Sequence, residues 1–253
     1  MTSATDQIVF ITGATAGFGA ATARRFVKEG AKVILTGRRE DRLAALKDEL
    51  GDHAHTIAFD IQDQDAVAAA VAGLPDDYKN ITVLVNNAGL AMGLSGAQDA
   101  KLSDWNTMIE TNIKGLVACT HAILPGMVAR DRGHVINLGS VAGTYPYPGG
   151  NVYGATKAFV HQFSLNLRAD LIGKKVRVTS VEPGMAESEF SVVRFEGDTS
   201  KAADVYKGMK PMTPDDIAET IYWVTSIPAH VNVNTIEMMA TMQAFNAFAV
   251  HRE

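Results

Sequence analysis

The sequence predicts a single doubly wound α/β domain, a parallel sheet of about seven strands with helices on both faces. Three observations carry that prediction. Short apolar, β-branched runs recur at 8–12, 32–36, 55–60, 81–86, 133–138, 176–181 and 234–238. Stretches with helical spacing lie between them, such as Ala23, Phe26, Val27 and Gly30, then Leu43, Leu46 and Leu50. The runs also lack the in-and-out alternation of a half-exposed strand, so both faces of the sheet need cover.

Bulk properties narrow the field. With 253 residues, 47% hydrophobic and 20% charged, the chain has the makeup of a globular protein, not of a disordered or fibrous one. No repeat or linker divides it, so 1–253 reads as one domain. A formal charge of -5 without a long basic block argues against nucleic acid as a partner. The first residues show no basic leader, and no apolar run approaches the roughly 20 residues of a membrane span. Cys119 is the one cysteine, so no intrachain disulfide is available, and no CxxC or HExxH run suggests a metal. His53, His55, His121, His134, His161, His230 and His251 show no ligand spacing and receive no chemistry. A soluble, cytoplasmic protein without metal is the expectation.

Taken in chain order, the strand ends carry the chemistry. The first run passes into Thr12-Gly13-Ala14-Thr15-Ala16-Gly17-Phe18-Gly19 and then directly into a helical pattern. Glycines there let the backbone approach a pyrophosphate seated on the helix N-terminus, although a tight packing turn would use them too. The second run ends in Thr36-Gly37-Arg38-Arg39. A carboxylate at that point would bind the ribose 2′-hydroxyl of NAD; two guanidinium groups suit a 2′-phosphate and predict NADP. Asp60, closing the third run, is either an acceptor for the adenine amino group or a helix N-cap.

Further on, Asn112 sits in mid-helix, where Asn is unfavourable; a satisfied polar residue is the plain alternative. The fifth run is followed by Ser140. Tyr153 and Lys157 open the next helical stretch at i, i+4, so they share a face, and an adjacent ammonium would draw the phenol toward its ionised form. A second YxxxK, Tyr206 to Lys210, has Val193 at the offset where the first has Ser140, so it lacks the hydroxyl partner. After the sixth run and Pro183-Gly184 the strand signal vanishes. Residues 185–214 are charged and contain Gly197, Gly208 and Pro211, which predicts a loop or lid over the strand ends.

Taken together these motifs resemble the short-chain dehydrogenase/reductase family: TGxxxGxG, NNAG, a helix-borne Asn, a Ser, YxxxK and PG stand in order along nearly the whole chain. The resemblance implies a Rossmann-type fold and a tetrad of Asn112, Ser140, Tyr153 and Lys157. Lys157 would also bind the nicotinamide ribose, and Asn112 would support a proton-relay water. Asn87, Ala88 and Gly89 would line the cofactor together with Gly13, Thr15, Gly17, Phe18, Gly19, Arg38, Arg39, Asp60, Pro183 and Gly184. Ser188, where the family usually has Thr, would contact the carboxamide. Segments 149–153, 189–195 and 228–234 resemble the bacterial NADP-dependent 3-hydroxy acid (serine or L-allo-threonine) dehydrogenases, also described as malonic semialdehyde reductases. They equally resemble a sibling group that reduces sulfoacetaldehyde.

A small anionic aldehyde or hydroxy acid needs a cation, and Arg194 in the lid is the candidate, against the plain reading of a solvated charge. Tyr145 and Tyr147 flank the site, with Tyr147 favoured as the phenol that meets the anion. The tail 234–253, with Met238, Met239, Met242, Phe245 and Phe248, is apolar enough to be an interface or part of the core. Family likeness points to a homotetramer. Two other functions stay open: reduction of a larger neutral carbonyl, and NADP sensing without turnover.

Overall fold

In the computed structural model, which describes residues 4–245, a seven-stranded parallel sheet runs through the molecule in the order β3-β2-β1-β4-β5-β6-β7. The strands are β1 (Ile8–Ile11), β2 (Lys32–Gly37), β3 (Ala54–Ala58), β4 (Val83–Asn86), β5 (Gly133–Leu138), β6 (Val176–Pro183) and β7 (Thr235–Met238). Each expected run is a strand with ends displaced by no more than two residues; β5 matches its run at both ends, and β6 continues two residues further, through Pro183.

Helices connect them: α1 (Gly17–Lys28), α2 (Glu40–Leu50), α3 (Gln64–Ala72), α4 (Leu102–Ile109), α5 (Leu116–Ala129), α6 (Asn151–Asp170), α7 (Glu189–Arg194), α8 (Thr199–Asp204) and α9 (Pro214–Ser226). Successive strand residues feed opposite cores. Val9 and Ile11, Val33 and Leu35, Val83 and Val85 pack with Phe26, Ile217 and Ile221 on one face. Phe10, Ile34 and Leu84 pack with Ile123, Met127 and Leu167 on the other. Alternation is therefore present in packing but invisible in hydropathy, because both faces are dry.

Two departures from the sequence reading matter. The helical stretch holding Asn112 is not one regular helix: Glu110–Gly115 is π-helical and joins α4 to α5. The segment 185–214 is not a bare loop, since it contains α7 and α8 and is stitched to itself by a bridge between Ala186 and Met212. Ser188 and Asp198 cap those short helices through their side chains. No helix among the described residues is long and apolar enough to cross a membrane. Cys119 is buried, which pushes its thiol up to about 12 and leaves it unreactive.

Candidate active site

Strand order reverses between β1 and β4, and the main cleft, about 360 Å³, opens at the carboxyl ends of the strands there. Its first wall is the turn after β1. Gly13 has φ +66°, a left-handed conformation that disfavours side chains. Gly19 is needed for packing instead. A Cβ there would lie 2.5 Å from the Gly13 carbonyl oxygen, so its bareness lets α1 close on the turn. Gly19 is buried and is not among the residues that line the cleft. The start of α1 has no side-chain cap, while Ala16, Gly17 and Phe18 line the cleft; the first-turn N–H groups are thus left for an anion.

Sequence reasoning missed the residue that holds this wall in place. Thr12 Oγ1 accepts from the Asn87 and Ala88 backbone N–H groups at 3.0 and 2.9 Å. Asn87 Nδ2 returns bonds to the Thr12 and Gly13 carbonyls at 2.8 and 3.1 Å. The turn after β1 and the NNAG segment after β4 are therefore one hydrogen-bonded unit. In the sequence TGxxxGxG and NNAG stand as separate motifs, each after an apolar run, and nothing in either shows that the two meet.

At the far end of the cleft, Arg38 and Arg39 are exposed and already engaged. Arg38 Nη1 lies 3.3 Å from Asp60 Oδ2, and Asp60 Oδ1 accepts from the Gln62 backbone at 3.0 Å. Arg39 donates to Thr15 Oγ1 from Nε and Nη2, and to Glu189 Oε2 from Nη1 at 3.0 Å. Arg42 adds a 2.6 Å bond to the other Glu189 oxygen. Burial raises the Glu189 carboxyl, but the hydrogen bonds from Arg42 and Arg39 outweigh it and hold the group below its usual range. Glu189 was not anticipated; it starts α7 and ties the lid to the arginine end of the cleft.

The polar residues converge at the opposite end. Ser140 caps the turn Val141–Gly143, accepting from the Ala142 N–H at 3.1 Å, and donates to the Pro183 carbonyl at 3.4 Å. Tyr153 and Lys157 lie on α6 and are buried. Lys157 Nζ donates to the Leu138 carbonyl at 2.7 Å and stands 5.8 Å from the Tyr153 ring centroid. Burial pushes Lys157 down to about 8, opposed by Glu182. Burial pushes Tyr153 up to about 12; Arg194 pulls the other way, as does a hydrogen bond with Ser140. Besides Lys157, one helical turn away, Tyr153 has a second cation beside it, Arg194.

Asn112 is buried and is not among the residues that line the cleft. Its Nδ2 donates to the Leu90 carbonyl at 2.8 Å and to Thr156 Oγ1 at 3.1 Å, and its Oδ1 accepts from the Leu90 N–H at 2.9 Å. It pins the segment after β4 to α6 from behind. A Cβ on Gly89 would sit 3.3 Å from Asn112 Oδ1 and 3.5 Å from Lys157 Nζ, so the three meet closely.

Over Tyr153 lies the lid. The Arg194 guanidinium is 5.2 Å from the Tyr153 and Phe190 ring centroids, and Nη2 donates to the Tyr147 hydroxyl at 2.8 Å. Arg194 Nε is buried with no hydrogen-bond partner among the described residues. Tyr145 turns away to Glu237 at 3.2 Å and to the Phe245 ring. Tyr206 of the second YxxxK bonds Ala186 and Ser191, at 3.0 and 2.7 Å, and pins the lid. Pro183, Gly184 and Ser188 also line the cleft. The tail begins by packing beneath the lid: Gln243 Oε1 accepts from the Met185 N–H at 2.7 Å, and Phe245 is exposed. Phe248 and His251 lie outside the described residues.

The sequence signature described as short chain dehydrogenase matches residues 7–198. The chain is 58% identical to the NADP-dependent 3-hydroxy acid dehydrogenase YdfG of Salmonella typhi, across 97% of this chain and 100% of that one. It is also 58% identical to the serine 3-dehydrogenase of Agrobacterium fabrum, across 97% and 98% of the two chains. Among solved structures, the closed form of serine dehydrogenase complexed with NADP+ superposes with a TM-score of 0.94 at 55% identity, covering 98% of this chain and 100% of that one.

Proposed function

This chain belongs to the short-chain dehydrogenase family, and from that premise we propose that it is an NADP-dependent oxidoreductase interconverting a small anionic 3-hydroxy acid, or hydroxy sulfonate, with its aldehyde or ketone. The observation that carries the substrate class is the Arg194–Tyr147 pair above Tyr153, with Arg194 Nε buried and unpaired among the described residues. A buried guanidinium N–H without an acceptor is costly, and a carboxylate or sulfonate oxygen would satisfy it.

The residues present fit an NADP cofactor. An uncapped helix start meets a glycine turn at one end of the cleft, and two arginines, Arg38 and Arg39, stand at the end of β2 in place of a carboxylate. When bound, NADPH supplies the hydride. Ser140 and Tyr153 hold the substrate oxygen, and the Tyr153 hydroxyl gives up the proton that neutralises the alkoxide. Burial suits this direction, because it keeps the phenol protonated at neutral pH. Lys157 contributes a donor and a positive charge on the same wall, and Asn112 braces the strand-end segment. Arg194 and Tyr147 orient the anionic end. The protein would act in the cytoplasm as a homotetramer.

NADPH oxidation followed by absorbance tests this reading, with malonic semialdehyde, sulfoacetaldehyde and a neutral aldehyde of similar size compared by kcat/KM. An advantage of about tenfold or more for one anion supports the charged pocket, since one charge-assisted contact is worth about 1.5–3 kcal/mol. Equal rates would overturn it in favour of a larger neutral carbonyl. NADPH binding without oxidation of any of them would leave a sensor.

A further inference from the structure

The lid 185–214 leaves the sheet after β6 and returns before α9, so its position depends on how its two legs are held. The legs are paired with each other. Met212 N–H donates to the Met185 carbonyl at 3.1 Å, Glu187 N–H donates to the Met212 carbonyl at 2.8 Å, and Ala186 bridges Met212. Two consecutive residues of the tail then meet both legs. Gln243 Oε1 accepts from the Met185 N–H at 2.7 Å, and Met242 Sδ accepts from the Lys210 N–H at 3.3 Å. A turn shapes the tail for this, with the Gln243 N–H donating to the Ala240 carbonyl at 2.9 Å and Ala240 packed in the same core as Ala186 and Met212. Gln243 is 8% exposed, and its Nε2 is buried with no partner among the described residues. Burying an amide with one half unpaired is unfavourable, so the bond from Met185 and the fit against Gly184 must outweigh it. A Cβ on Gly184 would collide with Gln243 Oε1, so the bare glycine is what admits the amide. Gly184 lines the cleft, and the Pro183 carbonyl before it accepts from Ser140 Oγ. Gln243 is not among the lining residues and braces that wall from outside.

We propose that Gln243 is a positioning residue that, through Met185, sets the lid and with it Arg194 over Tyr153, and that Met242 is a weaker second tie. The inference rests on the reading of Arg194 as the anchor of the substrate's anionic end. Other bonds hold the lid farther out: the Gly93 N–H donates to the Arg194 carbonyl at 3.0 Å, and Tyr206 donates to the Ala186 carbonyl at 3.0 Å. Those bonds join the lid to the segment after β4 and to itself. Gln243 and Met242 act at its base, where a small change in either leg is carried to everything beyond it. A thioether is a weak acceptor, so the bond from Lys210 contributes less than the one from Met185.

The test compares the intact protein with Gln243→Met, which keeps the length of the side chain and removes the acceptor, by amide hydrogen exchange and by steady-state kinetics. Exchange across 185–214 should be roughly three- to tenfold faster in the variant, as expected for the loss of one ordinary hydrogen bond, while exchange in β1–β6 stays within about twofold. KM for the anionic aldehyde that the wild type reduces should rise by roughly the same factor, with kcat changed by less than about twofold. Unchanged exchange in the lid, or equal acceleration in lid and strands, would overturn the proposal, because a merely structural role loosens the whole domain. Faster lid exchange with an unmoved KM would overturn it too. Should Gln243→Met fail to fold, Met242→Leu keeps the bulk and removes the sulfur, and it should shift lid exchange and KM the same way by about twofold; no shift there overturns the proposal equally. Failure of the wild type to oxidise NADPH with any aldehyde would instead sink the functional reading, while lid exchange still decides whether Gln243 holds the lid.

Discussion

Tyr153 and Lys157 share a helix face, yet their environments push them in opposite directions, the phenol up to about 12 and the ammonium down to about 8. The sign of the pH dependence follows. Below about 8 Lys157 is charged and Tyr153 carries its proton, so the proposed reduction of an aldehyde should be fully supported there. As pH rises past about 8, Lys157 loses its charge first, and kcat/KM for reduction should fall there with Tyr153 still protonated. Tyr153→Phe should lower kcat by about 10²–10⁴-fold and leave NADPH affinity nearly unchanged; retained turnover would remove Tyr153 as the acid. Arg194→Ala should raise KM chiefly for anionic aldehydes, whereas equal losses on neutral ones would indicate lid collapse. Arg38→Ala should erode the preference for NADP over NAD, and an intact preference would shift that role to Arg39, which Glu189 already engages.

Elements, not single residues, explain how the lid keeps its shape. Helices α7 and α8 have six residues each, too few to be stable alone, and they persist through side-chain caps and the half-buried hydroxyl of Tyr206. Tyr206→Phe removes two hydrogen bonds, at roughly 1 kcal/mol each, and should make the lid easier to cleave in limited proteolysis while raising KM more than it lowers kcat. The π-helical stretch Glu110–Gly115 works similarly for the opposite wall. It carries Asn112, whose side chain bonds Leu90 in both directions. The motif order located Asn112, but its i-spacing suggested an ordinary helix, since nothing in a single sequence distinguishes a π turn from an α turn.

At the scale of the molecule, one sheet with two dry faces sets the strand ends side by side. Ile221→Ala, deep in the α1–α9 side of the core, should lower stability by about 2–5 kcal/mol without changing cofactor preference, which thermal unfolding and kinetics together would check. Leu102, Ile172, Trp223 and Phe245 remain exposed on the chain, and Phe159 partly so. If the homotetramer holds, sedimentation should give four times the mass of the chain; a monomer at micromolar concentration would leave those side chains unexplained.

Local pattern along the chain was enough for the layers and for the types of residue that bear chemistry. Seven apolar runs specify parallel strands, the central ones buried, and glycines, arginines, Ser140, Tyr153 and Lys157 fall at the ends or starts of elements, where neighbours in sequence suffice to place them. Which of them meet was settled in three dimensions. Arg194 reaches Tyr153 and Tyr147, Glu189 meets Arg39, and Glu182 finds His161 only because residues distant in the chain are brought together by strand register and helix packing. Contacts of that kind depend on distances of a few ångströms between side chains, and no periodicity along one chain encodes them. For the same reason a second cation beside Tyr153, an arginine forty-one residues away in the chain, could not be foreseen.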